Sequence, residues 1–371
     1  MPLHIAIGFF GMFTMTVLMV VIFRRFAFVL GLVDAPDHRK VHDGLVPLCG
    51  GLAIFGAFAL YDTAIDYNYG IQWYLAVALI MLVGTGFADD RWRLPVAPRL
   101  AVQICAAAIL VFNIPDLLSS ASYLLDTGQI PAIGWLLPAL AIVFVVGLIN
   151  ATNMIDGADG LAGGIAASSL FWLALIATHT GRLDLAEFAM VMLAGVLGFL
   201  TFNMRHKWRN RASVFMGDAG STALGATIAY LVIDLASGPN PVPLPILLWT
   251  IILPITDMAS LMVRRRAAGR SPMTADRWHF HHLLIDRGLS HTATSGLMIL
   301  FCTVCGFIGW LGVVLGISPI TLTAALVVPV VLHTLLVAAM NEESRQFKVP
   351  SPIATASGET QSKSLDPAVP Q

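Results

Sequence analysis

The chain has 371 residues, of which 57% are hydrophobic and only 12% charged, and its mean hydropathy is +0.80. Soluble domains carry about 25% charged residues, so this composition excludes an ordinary soluble enzyme, a disordered protein and a nucleic-acid binder with a basic face. The net charge of −1 selects no partner by itself, and a polytopic membrane protein remains.

A spanning helix needs about 20 apolar residues. Runs of that character are expected near 3–23, 48–65, 71–88, 100–114, 135–149, 162–179, 187–203, 219–236, 243–261, 295–315 and 319–339, eleven in all. Such runs satisfy their backbone in lipid as helices, so the expected fold is all-α and polytopic. If these spans are right, the loops on one side hold 20 of the 21 Lys and Arg, and the other side holds Arg182 alone. The basic side is cytoplasmic, which puts the N-terminus in the periplasm and the C-terminus in the cytoplasm. The first run lacks a basic stretch before it and reads as a retained helix. Residues 1–340 form the membrane-embedded domain. Residues 341–371 lose hydrophobicity, collect Ser, Pro, Gln and Thr, and read as a disordered cytoplasmic tail. The Cys302-x-x-Cys305 pair lies in an apolar run with no second pair, so it reads as small apolar side chains.

Acidic residues mark the cytoplasmic ends of the spans, and ionisable groups at a membrane edge are functional candidates. Asp89 and Asp90 come first, in FADDRWR. Adjacent carboxylates repel unless a cation neutralises them, and either Mg²⁺ or the flanking Arg91 and Arg93 would serve. Next, Asn150, Asn153, Asp156 and Asp159 recur at a spacing of three in NATNMIDGADG. With no Lys this is not a Walker A loop, and it lacks the closing Glu of an EF-hand. In FMGDAGS, Asp218 opens a span, either as a plain cap or as a hard oxygen ligand for Mg²⁺ kept ionised by the helix dipole. Last, residues 264–287 hold six Arg around Trp278-His279-Phe280-His281-His282, a surface suited to phosphate. Anionic lipid is the alternative there, and a zinc site ranks below both because no fourth ligand is evident. Carboxylates suited to Mg²⁺ facing a basic, His-containing loop suggest phosphoryl transfer between a soluble nucleotide and a lipid.

These stretches carry a family resemblance. DAPDHRKVHDGLVPLCGG (34–51), FADDRWRLPVAPR (87–99), NATNMIDGADGLAGG (150–164), GFLTFN (198–203), VFMGDAGSTALG (214–225) and RRRAAGRSPMTADRWHFHHLLIDRGLS (264–290) occur in order along the cytoplasmic loops. The chain resembles the polyprenyl-phosphate N-acetylhexosamine-1-phosphate transferases of glycosyltransferase family 4, whose topology of eleven spans with the N-terminus outside it matches. The resemblance implies transfer of N-acetylglucosamine 1-phosphate from UDP-N-acetylglucosamine to undecaprenyl phosphate. This is the first membrane step of O-antigen or common-antigen polysaccharide synthesis, at the cytoplasmic face of a bacterial inner membrane. Mg²⁺ is the implied cofactor, with Mn²⁺ able to substitute. Asp218 is implied to bind the metal on the donor diphosphate. Asp90 is the favoured catalytic base and a second metal contact, with Asp89 beside it. Asn153, Asp156, Asp159 and Asn203 are implied to line the nucleotide site, with Asp156 and Asp159 counted among the catalytic residues and Asn150 among the substrate-binding ones. Arg265, His279, His281 and His282 are implied to hold the donor's phosphates and sugar, with His279 also counted among the catalytic residues, and Lys40 and Arg99 to assist.

One departure stands out: many members of this branch carry a third acid where this chain has Arg93. A phospho-N-acetylmuramoyl-pentapeptide transferase shares the NxxNxxDGxDGL and GDxGS patterns, but the Arg-rich ADRWHFHH stretch favours the N-acetylhexosamine branch. A cation-coupled transporter is the remote alternative, and charges confined to one side argue against it. The sequence shows no interface, so a homodimer stays open.

Overall fold

The computed structural model describes residues 3–34, 44–64, 72–115, 136–238, 240–271 and 277–346. The apolar runs fold as helices. The first becomes α1 (Leu3–Leu30), followed by a two-stranded antiparallel pair, β1 (Val33–Asp34) and β2 (Val46–Pro47). Next come α2 (Gly50–Ala64), α3 (Trp73–Trp92), α4 (Val96–Asn113), α5 (Leu137–Ile155), α6 (Leu161–His179) and α7 (Leu183–Asn203). The second half adds α8 (Asp218–Leu235), α9 (Leu244–Leu248), α10 (Ile252–Ala267), α11 (Phe280–Asp286), α12 (His291–Val314), α13 (Pro319–Ala325) and α14 (Val327–Gln346). Lys40 lies outside the described residues, as does the stretch 347–371 of the expected tail.

Among the described residues, eight helices are long and apolar enough to cross a membrane: α1, α3 to α7, α12, and α13 with α14 as one span over Pro319–Met340. The other three expected runs are helical but shorter or interrupted. α2 has 15 residues, and α8 has 18 with two acids among them. The run at 243–261 divides into α9 and α10. Pro254 explains the division, because its ring clashes with the carbonyl of the residue four positions earlier, Thr250, which lies in the turn between the two helices. The break between α13 and α14 lies four residues before Pro329 for the same reason.

The core is built around α8. All but the first of its 18 residues are buried, and it packs against α3 and α5 and, less extensively, α2 and α6. Small residues allow this approach. A Cβ on Gly86 of α3 would sit 2.3 Å from the backbone of Ala219, and one on Gly51 of α2 would sit 2.1 Å from Gly220. Large exposed apolar side chains such as Phe10, Ile80, Val143 and Val328 lie on the outer helices, as expected of surfaces facing lipid.

The segment before α8 is held in place by backbone hydrogen bonds. Phe215 N–H donates to Pro47 (2.9 Å), while Gly50 and Gly51 N–H donate to Phe215 and Met216 (2.9 and 2.8 Å). At the other end of α8, Arg182 pairs with Asp234 at 2.7 Å. Arg182, which the sequence analysis sets apart from the other basic residues, therefore lies about 25 Å from Asp218, at a rise of 1.5 Å per residue.

Candidate active site

A cavity of about 340 Å³ opens at the Asp218 end of α8, between α3, α4, α5, α10 and α11. Asp218 stands on its wall as the first residue of α8, with its side chain 32% exposed. Asn153 of α5 donates from Nδ2 to Asp218 Oδ1 at 2.9 Å and lies 3.1 Å from Ser221 Oγ. Arg99 of α4 lies 3.3 Å from Asp218 Oδ2 and also donates to Asp89 Oδ2. The second oxygen of Asp89 accepts the N–H of Leu94 at 2.7 Å. One guanidinium thus joins the carboxylates of α3 and α8, and Arg93, which closes α3 in the left-handed region, is exposed and off this wall.

Asp90 takes a different place from its neighbour. Its Oδ1 accepts the N–H of Asp218 at 2.9 Å and its Oδ2 that of Ala219 at 3.3 Å. It therefore caps the N-terminus of α8 from another helix, satisfying amides that no side chain of the local N-cap reaches. That N-cap is Gly217, at φ +75°, where a Cβ would stand 2.6 Å from Asp90 Oδ2. Glycine is required there on both counts.

Opposite the carboxylates, Arg265 is buried at 3% exposure, and His279, His281 and His282 complete the wall. His281 is 1% exposed, and neither ring nitrogen has a hydrogen-bond partner among the described residues. His279 and His281 stack, with ring centroids 5.5 Å apart. Burial, reinforced by neighbouring imidazoles, pulls His281 well below the usual histidine range. Burial and then Arg277 bring His282 down to about 4. At neutral pH both rings are neutral donors rather than charges.

The structure therefore brings Asp89, Asn150, Asn153, Asp218, Arg265, His279, His281 and His282 to one cavity. It does not bring Asp156, Asp159 or Asn203 to that wall. Asp156 caps the C-terminus of α5. Asp159 Oδ2 accepts from Arg205 at 2.6 Å and from Ala212 N–H at 2.8 Å. Asn203 accepts from Gly160 N–H at 2.8 Å and donates to Val214 O at 2.9 Å. Asp159 and Asn203 thus tie loops together away from the cavity wall.

Gln103 and Thr222 are among the cavity residues that the sequence reading does not single out. Gln103 of α4 accepts from Asn150 Nδ2 at 2.7 Å, and Thr222 follows Asp218 by one turn. A lone amide in an apolar helix was the available signal for Gln103.

The donor set suits Mg²⁺. Asp218 and Asp89 are hard oxygen donors placed on one wall of the cavity. Two such carboxylates could hold an ion that completes its shell with substrate phosphate and water.

Relatives point the same way. Residues 72–236 match the glycosyl transferase family 4 profile. The chain is 33% identical over 311 residues, 83% of each chain, to the undecaprenyl-phosphate alpha-N-acetylglucosaminyl 1-phosphate transferase of Escherichia coli K12. It is 33% identical over 301 residues to the protein of that name from Salmonella typhimurium, covering 81% of each chain. It is also 32% identical over 304 residues to a probable undecaprenyl-phosphate N-acetylglucosaminyl 1-phosphate transferase of Bacillus subtilis, covering 79% of this chain and 80% of that one. With this identity over four-fifths of its length, the chain belongs to glycosyl transferase family 4, the polyprenyl-phosphate N-acetylhexosamine-1-phosphate transferases.

Proposed function

We propose that this protein transfers N-acetylglucosamine 1-phosphate from UDP-N-acetylglucosamine to undecaprenyl phosphate, releasing UMP. The observation that carries this reading is the cavity itself. Two carboxylates joined by Arg99 face Arg265 and three imidazoles, at the end of a buried helix.

In the reaction, an oxygen of the lipid phosphate attacks the donor phosphorus that bears the sugar. The bond from that phosphorus to the bridging oxygen breaks, and UMP leaves with the electron pair. A phosphate monoester has a second pKa of about 6, so the nucleophile is already mostly ionised at neutral pH and needs no base. Asp90 therefore acts through α8, whose first amides it caps, rather than on the acceptor's proton. Asp218, with Asp89 beside it, would hold Mg²⁺ or Mn²⁺ against the donor diphosphate, where the ion neutralises developing charge. Arg99 is placed to draw the lipid phosphate toward the carboxylates. Arg265 and the imidazoles at 279, 281 and 282 clamp the donor's phosphates and sugar, and Asn150 and Asn153 orient the nucleotide. Charge in such a transfer is spread over phosphoryl oxygens, so positioning and cations carry most of the acceleration.

In this reading α2, α8 and the α9–α10 pair complete eleven spans, with the N-terminus outside and the cavity on the cytoplasmic face of the inner membrane. The basic asymmetry of 20 to 1 supports that orientation. The test is UMP release by the purified protein. It should need both UDP-N-acetylglucosamine and undecaprenyl phosphate, stop with EDTA and return with Mg²⁺. UMP release without the lipid phosphate, or full activity in EDTA, would count against the proposal.

A further inference from the structure

Asp257 of α10 is an acid in an apolar helix, 2% exposed, and the reaction outlined above gives it no task. Intramembrane acids are costly to keep and need partners. Asp257 has two hydrogen-bond partners at the start of α11, and an imidazole of the last helix stands within ion-pair distance without a hydrogen bond of its own. Its Oδ2 lies 3.3 Å from His279 Nδ1, and its Oδ1 accepts the N–H of Phe280 at 3.1 Å. Its Oδ1 also stands 3.4 Å from Nε2 of His333, a 2%-exposed residue of α14 whose ring packs on Phe280 at 4.9 Å.

We propose that Asp257 is a positioning residue for His279, with His333 bracing it from the C-terminal helix. One carboxylate grips both the ring of His279 and the amide that follows it. An ionised carboxylate only accepts hydrogen bonds, so it fixes the His279 proton on Nδ1 and leaves Nε2 as the ring nitrogen available to the cavity. Such an outer carboxylate sets the tautomer and orientation of an imidazole. Nε2 without a proton is an acceptor, suited to a hydroxyl or amide N–H of the donor sugar rather than to its phosphate. His279 thereby recognises the sugar, while the phosphates fall to Arg265. This assignment rests on the proposed donor, an N-acetylhexosamine nucleotide.

Two measurements test it. The first needs no activity: solid-state nuclear magnetic resonance of ¹⁵N-histidine-labelled protein in bilayers, with His279 assigned by the signal lost in His279→Gln. The expected result is an Nδ1-protonated His279 in the wild type and a mixed or Nε2-protonated ring in Asp257→Asn. An Nε2-protonated ring in the wild type overturns the proposal, even if Asp257→Asn does not fold. The second is a kinetic cycle. Asp257→Asn should lower kcat/KM for the UDP-sugar roughly 10- to 100-fold, the usual cost of losing such an outer partner, and leave KM for the lipid phosphate within about twofold of wild type. In a His279→Gln background the same change should cost less than about twofold, and Asp257→Glu should restore part of the wild-type rate. An undiminished cost in that background means Asp257 serves the fold alone and contradicts the proposal. A wild-type protein that does not turn over UDP-N-acetylglucosamine would refute the functional reading, and the tautomer measurement would still decide the dyad.

Discussion

Asp89 and Asp90 are chemically alike and adjacent, yet their carboxylates do different things because they leave the last turn of α3 in different directions. Asp89 meets Arg99 on the cavity wall, and Asp90 meets the amides that open α8. If capping is the role of Asp90, the shape of the substituent decides the outcome. Asp90→Ala removes a cap, worth about 1–2 kcal/mol, and lets Asp218 drift. Asp90→Asn keeps one acceptor oxygen, and should recover part of both the stability and the turnover lost in Ala. Thermal unfolding and kcat of the two variants check this; equal loss of turnover in both, at equal stability, would restore the role of base to Asp90. The sequence made the acid pair visible as a candidate but could not divide its labour, because the division depends on the approach of residue 218 from 128 positions away. Asp159 and Asn203 show the same limit. Both were legible as polar residues between apolar runs, but their partners, Arg205, Ala212 and Val214, are set by the loop after α7. Asp257 was legible as an acid inside a span and was passed over because it belongs to no motif.

At the scale of elements, α8 carries the site because its neighbours come close. Gly86 of α3 has no room for a side chain, whereas Gly84, on the same helix, has nothing within 4 Å of an added Cβ. Gly86→Ala should therefore cost about 1–3 kcal/mol by overpacking and reduce activity, while Gly84→Ala should leave both near wild type. Thermal unfolding with a turnover assay separates them. The short α11 makes a prediction of its own. His281 and His282 are held below their ordinary range, so the unfolded chain binds protons that the folded one refuses. Stability from these groups is complete above about pH 6.5 and should be lost as pH falls below it, toward 4 for His282, and the part of donor affinity that His281 and His282 supply should be flat from pH 6.5 to 8. A donor KM that rises steeply over that upper range would mean the imidazoles bind as cations. The helices were largely legible from apolar runs alone. The breaks inside 243–261 and 319–339 were signalled by Pro254 and Pro329 and were missed because hydropathy averages across a proline.

For the whole molecule, the distribution of charge predicts an orientation that labelling can test. A cysteine in place of Asp184, whose side chain is 60% exposed, should react with an impermeant maleimide added to intact cells. One in place of Trp208, 81% exposed, should react only after permeabilisation. The opposite pattern would invert the topology and remove the cavity from the side where nucleotide sugars are found.

The central claim is that a sugar phosphate, and not a sugar alone, crosses to the lipid at the cavity headed by Asp218. UDP-N-acetylglucosamine labelled with ³²P at the phosphate bearing the sugar tests it most directly, with wild-type protein and Asp218→Asn compared in undecaprenyl-phosphate vesicles. The account predicts that the label moves into the lipid fraction with one UMP released per lipid formed, and that Asp218→Asn lowers the rate by at least about 100-fold, the scale of losing a group that stabilises transition-state charge. Label retained in the aqueous phase as UDP while the sugar reaches the lipid, or a wild-type rate in Asp218→Asn, would contradict it.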